Sequence, residues 1–138
     1  MTKIRVGIAG YGNLGKGVEM AIAQNPDMEL VGVFTRRQPQ DVKTIRPETK
    51  AYHIDDAAKM TNDIDVMILC GGSATDLPKQ GPEFVKLFHT IDSFDTHAKI
   101  PEYFEHIDVY KRQPLGLKPT VLIKTKICWT VPLWTAAI

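Results

Sequence analysis

The chain contains 138 residues, of which 43% are hydrophobic and 24% are charged, and its formal net charge is +1. This length suits one domain with a sizeable core, and no apolar run reaches the roughly 18 residues that a membrane span needs. The two cysteines, Cys70 and Cys128, lack metal-ligand spacing, which argues against a disulfide framework and a zinc site. The first residues do not resemble a signal peptide, so we expect a cytoplasmic protein.

A short apolar strand followed by three glycines opens the chain. Residues 4 to 9 are too apolar for a half-exposed strand, which predicts the first strand of a parallel sheet covered on both faces. Gly10 would allow a tight turn, Gly12 would leave room for a phosphate, and Gly15 would let the next helix pack closely. That helix, which begins near Asn13, would direct its N–H groups and its dipole at the same place. The pattern predicts a pyrophosphate-binding turn, although similar glycine patterns also occur in structural turns.

The first helix is amphipathic in the sequence. We expect one set of positions to face the sheet and another to face solvent: Val18, Met20, Ala21 and Ile22 against Lys16, Glu19 and Gln24. Residues 25 to 27, Asn-Pro-Asp, predict the end of this helix and a turn. A second strand at residues 29 to 34 completes a strand–helix–strand unit.

The residues after the second strand, Thr35, Arg36 and Arg37, indicate which dinucleotide would bind. An acidic residue about 20 residues beyond the glycines holds the ribose 2′-OH of NAD, whereas an arginine there accommodates a 2′-phosphate. The acid is missing here, and two guanidinium groups, which can bind phosphate in bidentate fashion, take its place. The sequence therefore predicts NADP as the cofactor. The alternative is that both arginines are solvated residues of a surface loop.

The middle of the chain continues the alternation of strands and helices. The polar residues 38 to 50 predict a loop, and residues 51 to 54 predict a short strand. Asp55 and Asp56 would cap and begin a helix. His53 is predicted to be a surface or edge residue.

A second glycine-rich turn, residues 71 to 76, follows a buried strand at residues 65 to 70. Ligands bind at the carboxyl ends of the strands in an open α/β sheet, so this turn should lie beside the first and cover the cofactor. Cys70, at the end of the strand, could be read as a nucleophile. We favour a packed or cofactor-facing thiol, because no His or Arg partner adjoins Cys70 in the sequence.

The last predicted strand ends in two acids. A helix that begins at residues 77 and 78 precedes this strand. The side chains of this helix that we expect to face the sheet are Phe84, Val85, Leu87 and Phe88. The strand, residues 89 to 95, would present Asp92 and Asp95 to the cleft, where they could hold a cationic group such as an ammonium. The equal alternative is a helix cap with an ion pair. Residues 100 to 107 predict a further helix.

Four joined motifs resemble those of the meso-diaminopimelate dehydrogenase family. They lie within about residues 1 to 108, at residues 4 to 15, 26 to 37, 70 to 76, and 92 to 97 with 100 and 101. The resemblance implies a Rossmann-type doubly wound parallel sheet of the α/β class. It also implies NADP-dependent, reversible oxidative deamination of meso-2,6-diaminopimelate to L-2-amino-6-oxopimelate and ammonia, in bacterial lysine biosynthesis, by a homodimer.

The resemblance also implies roles for individual residues. Asp92 and Asp95 would belong to the substrate pocket. The residues expected around the pyrophosphate and the 2′-phosphate are Gly10, Tyr11, Gly12, Asn13, Leu14, Gly15, Thr35, Arg36 and Arg37. Those expected along the ribose and nicotinamide are Cys70, Gly71, Gly72, Ser73, Ala74, Thr75 and Asp76, with glycine at position 71 where the family often has methionine.

The end of the chain departs from the family. The family continues to a Trp-Asp-Pro-Gly segment and then to a long substrate and dimerisation domain, whereas residues 109 to 138 contain no acid and five bases. We expect that this basic tail is not native to the fold and arises from a frame shift, a vector junction or a truncated open reading frame. If a frame shift is the cause, a shifted frame of the encoding DNA should give the missing segment. The alternative is a genuine sixth strand at residues 120 to 123.

The sequence leaves two other functions open. One is a different NADP-dependent reductase or dehydrogenase that acts on another small acid. The other is a non-catalytic nucleotide-sensing or partner-binding module that uses the basic tail. Nucleic-acid binding is not indicated, since the region before the tail has more acids than bases. As a fragment of the resembled enzyme, the chain is expected to show little turnover.

Overall fold

The computed structural model describes residues 2 to 72 and 74 to 111, with side chains up to residue 108. Three predictions lie outside this described part. They concern the contact of Ser73 with the cofactor, the alternative sixth strand at residues 120 to 123, and the nature of the basic tail beyond residue 111.

Five strands and three α-helices make up the described part of the chain. The strands are β1 (Ile4–Ala9), β2 (Met28–Thr35), β3 (Ala51–His53), β4 (Val66–Leu69) and β5 (His89–Asp92), and the helices are α1 (Asn13–Ala23), α2 (Leu77–Phe84) and α3 (Ile100–Lys111). Short 3₁₀ helices lie at Pro39–Asp41, Ile54–Met60 and His97–Lys99. The alternation of strands and helices follows the order predicted from the sequence.

The strands form one parallel sheet in the order β3-β2-β1-β4-β5. The chain winds outward from β1 in one direction to β3 and in the other to β5. The direction of winding changes between β1 and β4, where open α/β sheets bind their ligands at the carboxyl ends of the strands. This topology confirms the predicted Rossmann-type, doubly wound sheet.

The sheet is covered on both faces, as the apolar composition of β1 predicted. Val6 and Ile8 of β1 belong to one core cluster, together with Ile22 of α1. Ala9 belongs to a second cluster on the opposite face, together with Phe84 near the end of α2. Burial of one such large apolar side chain contributes about 1.5–3 kcal/mol to folding. Both faces of β1 are therefore committed to the core, which fixes the position of the turn that follows it.

Three predicted side-chain orientations are wrong. Glu19, expected to face solvent, is only 1% exposed, whereas Met20, expected to face the sheet, is 51% exposed. Ala21, also expected to face the sheet, is exposed as well. The buried positions of α1 are Gly15, Glu19 and Ile22, which are spaced four and three residues apart. The close packing of Gly15 against the preceding turn sets this face of the helix.

Several predicted boundaries differ from the structure, and at three elements the difference changes the place assigned to a named residue. The helix at Ile54–Met60 is a 3₁₀ helix whose N-cap is His53, not Asp55. Helix α2 ends at Phe84, so Leu87 lies beyond it and is exposed. Strand β5 ends at Asp92, so Asp95 lies in the segment after it and not at the strand end.

Candidate cofactor-binding cleft

A cleft of about 480 Å³ lies at the carboxyl ends of β1, β2 and β4. It brings together the two glycine-rich turns and the arginines that follow β2, which are far apart in the sequence. The lining residues are Gly10, Tyr11, Gly12, Thr35, Arg36, Arg37, Ile54, Cys70, Gly71, Gly72, Asp76 and Gln80. A second cavity of about 550 Å³ extends along α2 and shares with the cleft Arg36, Ile54, Asp76 and Gln80. Thr75, which lies just before α2, also lines this second cavity.

Gly10 joins the two turns. Its φ is +94°, a conformation that L side chains rarely adopt. A Cβ atom at this position would also lie 3.0 Å from the carbonyl carbon of Cys70 and 3.1 Å from the nitrogen of Gly71. The Gly10 amide donates a hydrogen bond to the carbonyl of Phe34, at 2.8 Å. The two glycine-rich turns are therefore in contact, as the sequence predicted.

The other two glycines of the first turn differ in their surroundings. A Cβ at Gly15 would collide with the carbonyl oxygen of Gly10, so the helix packs directly on the turn. A Cβ at Gly12 would meet nothing within 4 Å, and Gly12 is exposed at the N-cap of α1. Glycine supplies no side-chain cap, which leaves the first-turn N–H groups of α1 available to an anion.

The buried carboxylate of Glu19 is hydrogen-bonded to the first glycine-rich turn. Glu19 of α1 accepts a hydrogen bond from the hydroxyl of Tyr11, which lines the cleft. It also accepts hydrogen bonds from the backbone amides of Ile45, at 3.2 Å, and Arg46, at 3.3 Å. The Tyr11 hydroxyl in turn accepts a hydrogen bond from the Ile45 amide, at 2.9 Å. This group ties the loop after β2 to the glycine turn.

These contacts determine how the pKa values of Glu19 and Tyr11 are shifted. Burial alone would raise the pKa of Glu19, but hydrogen bonds from Thr49, Tyr11 and the backbone outweigh it, and the pKa is lowered. Burial, together with the hydrogen bond to Glu19, raises the pKa of Tyr11 to about 12. Glu19 is thus held as a carboxylate and Tyr11 as a neutral hydroxyl donor.

The two arginines after β2 have different partners. The Nη1 atom of Arg36 lies 2.9 Å from Oδ1 of Asp76, and its Nη2 atom lies 3.2 Å from Oδ2 of the same carboxylate. Arg37 donates from Nη2 to the carbonyl oxygen of Tyr11, at 2.7 Å. The Arg37 amide donates to Oγ1 of the buried Thr35, at 3.1 Å. Both arginines line the cleft and both are exposed, so their role in binding a 2′-phosphate stays a prediction beside the alternative of two solvated loop residues.

The second turn is held by its own backbone and by Asp76. The Gly72 carbonyl accepts a hydrogen bond from the Asp76 amide, at 2.8 Å, and the Asp76 carboxylate accepts one from the Gly72 amide, at 3.1 Å. A Cβ at Gly71 would lie 2.7 Å from the Cβ of Asp76. Glycine at position 71 therefore allows the turn to pack closely on the start of α2.

Some predicted site residues do not line either cavity. Asn13, Leu14 and Gly15 lie in the first turn of α1, and the exposed Ala74 lies in the second turn, beside the cavities. Cys70 does line the cleft, and burial raises the pKa of its thiol to about 11. A protonated thiol is a poor nucleophile, and Cys70 also packs against a core cluster, so a packed or cofactor-facing thiol is favoured over a nucleophile.

The two predicted substrate carboxylates lie beyond the cleft. Asp92 accepts hydrogen bonds from the Phe94 amide, at 3.1 Å, and from the Tyr103 hydroxyl, at 3.3 Å. Burial, with a smaller contribution from Asp92, raises the pKa of Tyr103. Asp95 is exposed in the segment between β5 and α3. Neither carboxylate lines the two cavities described above.

Within residues 2 to 72 and 74 to 111, no three His, Cys, Asp or Glu side chains are grouped so that they could hold a metal ion. None of the helices in that part of the chain has the length and apolar character that crossing a membrane requires.

The sequence is similar to curated meso-diaminopimelate D-dehydrogenases. It is 68% identical over 108 residues to the enzyme of Lysinibacillus sphaericus, a match that covers 78% of this chain and 33% of that protein. It is 48% identical over 103 residues to the enzyme of Corynebacterium glutamicum, covering 75% of this chain and 31% of that protein. The chain thus spans about a third of the length of the curated relatives it matches. No family model matches the sequence.

Solved structures give the same result. The diaminopimelate dehydrogenase of Corynebacterium glutamicum in complex with diaminopimelate superposes with a TM-score of 0.69 and 46% identity, covering 78% of this chain and 32% of that one. An engineered D-amino acid dehydrogenase bound to NADP⁺ gives a TM-score of 0.71 and 44% identity, covering 79% and 33%. These matches confirm the resemblance that the sequence motifs indicated.

Proposed function

Since the chain resembles the meso-diaminopimelate dehydrogenases over nearly four-fifths of its length, we propose that it is the NADP-binding part of such an enzyme. The whole enzyme would catalyse the reversible oxidative deamination of meso-2,6-diaminopimelate at its D-configured centre. With water and NADP⁺, the reaction gives L-2-amino-6-oxopimelate, ammonium, NADPH and one proton. This reaction belongs to lysine biosynthesis.

The observation that carries the proposal is the convergence of three segments on one cleft. Both glycine-rich turns and the arginines after β2 line it, and no acidic residue stands among residues 35 to 38 to bind a ribose 2′-OH. The open space beside Gly12 and the uncapped start of α1 suit a pyrophosphate. Arg36 and Arg37 suit a 2′-phosphate.

The residues of this chain would bind and orient the cofactor. Gly10, Tyr11, Gly12 and the first turn of α1 would hold the pyrophosphate, and Thr35, Arg36 and Arg37 would hold the 2′-phosphate. The second turn, with Cys70 at its start, would lie along the ribose and nicotinamide. When bound, NADP⁺ supplies the hydride acceptor of the reaction.

The substrate-binding role of Asp92 and Asp95 is part of the same proposal. Their carboxylates are of the right charge to hold a substrate ammonium, and Asp92 is the residue with which β5 ends. Both lie outside the cleft described above, so the substrate would bind beyond the nicotinamide end and complete its site with other parts of the enzyme.

Four further features remain proposals, two of the whole enzyme and two of this chain. The whole enzyme would act as a homodimer, and it would work in the cytoplasm, where NADP(H) is available to biosynthetic enzymes. Residues 1 to 108 would form the dinucleotide-binding domain. Residues 109 to 138 would be a basic tail foreign to this fold, a proposal supported by the absence of acids and of the Trp-Asp-Pro-Gly segment.

The proposal is tested by measuring cofactor binding and turnover of the 138-residue chain separately. We expect NADPH to bind, whereas deamination of meso-diaminopimelate with NADP⁺ should be close to background because the chain corresponds to a third of its relatives. Absence of NADPH binding would overturn the proposal. Substantial turnover would contradict the assignment of this chain as an incomplete enzyme.

A further inference from the structure

An ion pair crosses the cleft between the two segments that line its opposite sides. Arg36 follows β2, and Asp76 precedes α2, forty positions later in the chain. Both nitrogens at the end of the guanidinium group contact the carboxylate, Nη1 with Oδ1 at 2.9 Å and Nη2 with Oδ2 at 3.2 Å. This bidentate geometry is the strong form of an arginine–carboxylate pair.

The carboxylate is the fixed member of this pair. The Asp76 side chain is 16% exposed, whereas that of Arg36 is 68% exposed. The Gly72 amide donates a hydrogen bond to Oδ2 of Asp76, and the Asp76 amide is held by the Gly72 carbonyl. Asp76 is thus anchored in its turn, while Arg36 is a long side chain that can move away from it.

The same guanidinium group is the one expected to bind the 2′-phosphate. A phosphate monoester carries a charge of about −1.5 to −2 at neutral pH, and its oxygens would use the donors that Asp76 now occupies. A bound 2′-phosphate would also place its charge near the carboxylate, and like charges repel. Arg37 differs, because its contact is the neutral carbonyl of Tyr11.

We propose that Asp76 competes with the 2′-phosphate for Arg36 and thereby limits both the affinity of the cleft for NADP(H) and its preference over NAD(H). Asp76 acts through Arg36, as a positioning residue that determines specificity. The inference rests on the proposed function, since it requires the phosphate of the cofactor to bind at Arg36. In this proposal Asp76 weakens the binding of the cofactor, whereas the other residues of the cleft strengthen it.

The test is Asp76→Asn in the full chain. Asparagine keeps an oxygen that can accept the Gly72 hydrogen bond but removes the charge. We expect the affinities for 2′-AMP and for NADPH to rise roughly two- to fivefold, the range for losing one exposed charge interaction. The affinity for NADH, which has no 2′-phosphate, should change less, so the ratio of the NADPH affinity to the NADH affinity should rise. Isothermal titration calorimetry measures all three ligands.

Two further variants show whether the effect passes through Arg36. In an Arg36→Ala background, Asp76→Asn should no longer strengthen the binding of 2′-AMP. Asp56→Asn is the matched charge control, because Asp56 pairs with Lys59 at 2.7 Å on the 3₁₀ helix and lines neither cavity. Asp56→Asn should leave all three affinities unchanged. Thermal unfolding of each variant shows whether the fold is retained.

Each outcome decides between the two proposals. Tighter binding of NADPH and 2′-AMP by Asp76→Asn, lost in the Arg36→Ala background, supports both. If the wild-type chain binds NADPH and Asp76→Asn binds it equally or more weakly, the competition is refuted and the proposed function stands. If the wild-type chain does not bind NADPH, the proposed function fails. In that case, gain of 2′-AMP binding by Asp76→Asn supports the competition, and no gain refutes it as well.

Discussion

The hydroxyl of Tyr11 donates a hydrogen bond to the carboxylate of Glu19, a residue that is only 1% exposed. Tyr11 lies in the first glycine-rich turn and Glu19 lies two helical turns further on, so the contact fastens the start of α1 to the turn that precedes it. The same carboxylate accepts hydrogen bonds from the amides of Ile45 and Arg46. One buried charge therefore connects the cleft, the first helix and the loop after β2.

Replacing Glu19 with glutamine should destabilise the fold. The Tyr11 hydroxyl and the amides of Ile45 and Arg46 all donate to this carboxylate, so the NH₂ group of glutamine would face donors without an acceptor. An unsatisfied buried group costs about 1–3 kcal/mol, and we expect the free energy of unfolding in urea to fall by that amount. Glu105→Gln, at an exposed position of α3, should change it by less than about 0.5 kcal/mol. Equal stability of the two variants would show that the network contributes nothing.

The contribution of Glu19 to stability should depend on pH. The folded protein lowers the pKa of Glu19 from its ordinary value of 4.5. A lowered folded-state pKa adds stability above the unfolded-state pKa, and this stability is lost as the pH falls through the folded-state value. The difference in unfolding free energy between the wild type and Glu19→Gln should therefore be constant near neutral pH and shrink below about pH 4.5. A difference that grows on acidification would contradict the assigned hydrogen bonds.

Two glycines of the same helix should respond to alanine in opposite directions. At Gly15 a Cβ would collide with the Gly10 carbonyl oxygen, whereas at Gly17 it would meet nothing within 4 Å. We expect Gly15→Ala to destabilise the protein by about 1–3 kcal/mol, as overpacking does, and to weaken NADPH binding because the turn must move. Gly17→Ala should stabilise the helix by about 0.5–1 kcal/mol and leave binding intact. Urea unfolding and calorimetric titration test both, and similar effects at the two positions would refute the packing assigned to Gly15.

The fold could be predicted from the sequence where the signal was local. The apolar run of β1 and the three glycines that follow it lie within twelve residues and specify strand, turn and helix together. The doubly wound parallel sheet was implied by the resemblance of the motifs to a known family, whereas the order of its strands was not predicted. The convergence of the two glycine-rich turns with Arg36 and Arg37 could be predicted because ligands bind at the carboxyl ends of the strands in such a sheet.

Contacts between distant segments could not be predicted in this way. Glu19 was assigned to the solvent side because its partners, the amides of Ile45 and Arg46, lie in a loop with no periodic pattern. Its spacing of four residues from Gly15 was the available signal, since both then share one face of α1. The pairing of Arg36 with Asp76 depends on how two turns approach each other, which neither turn specifies alone. The predicted strand at residues 89 to 95 was also too long, because β5 ends at Asp92 and Asp95 lies outside it.

The central claim is that Arg36 and Arg37 select NADP(H) at this cleft, and its most direct test is a comparison of NADPH and NADH affinities. Calorimetric titration of the full chain should give tighter binding of NADPH by roughly tenfold or more, since hydrogen bonds to charged groups contribute about 1.5–3 kcal/mol. Replacing both arginines with alanine should remove this difference mainly by weakening NADPH binding. Equal affinities of the wild-type chain for NADPH and NADH would contradict the account.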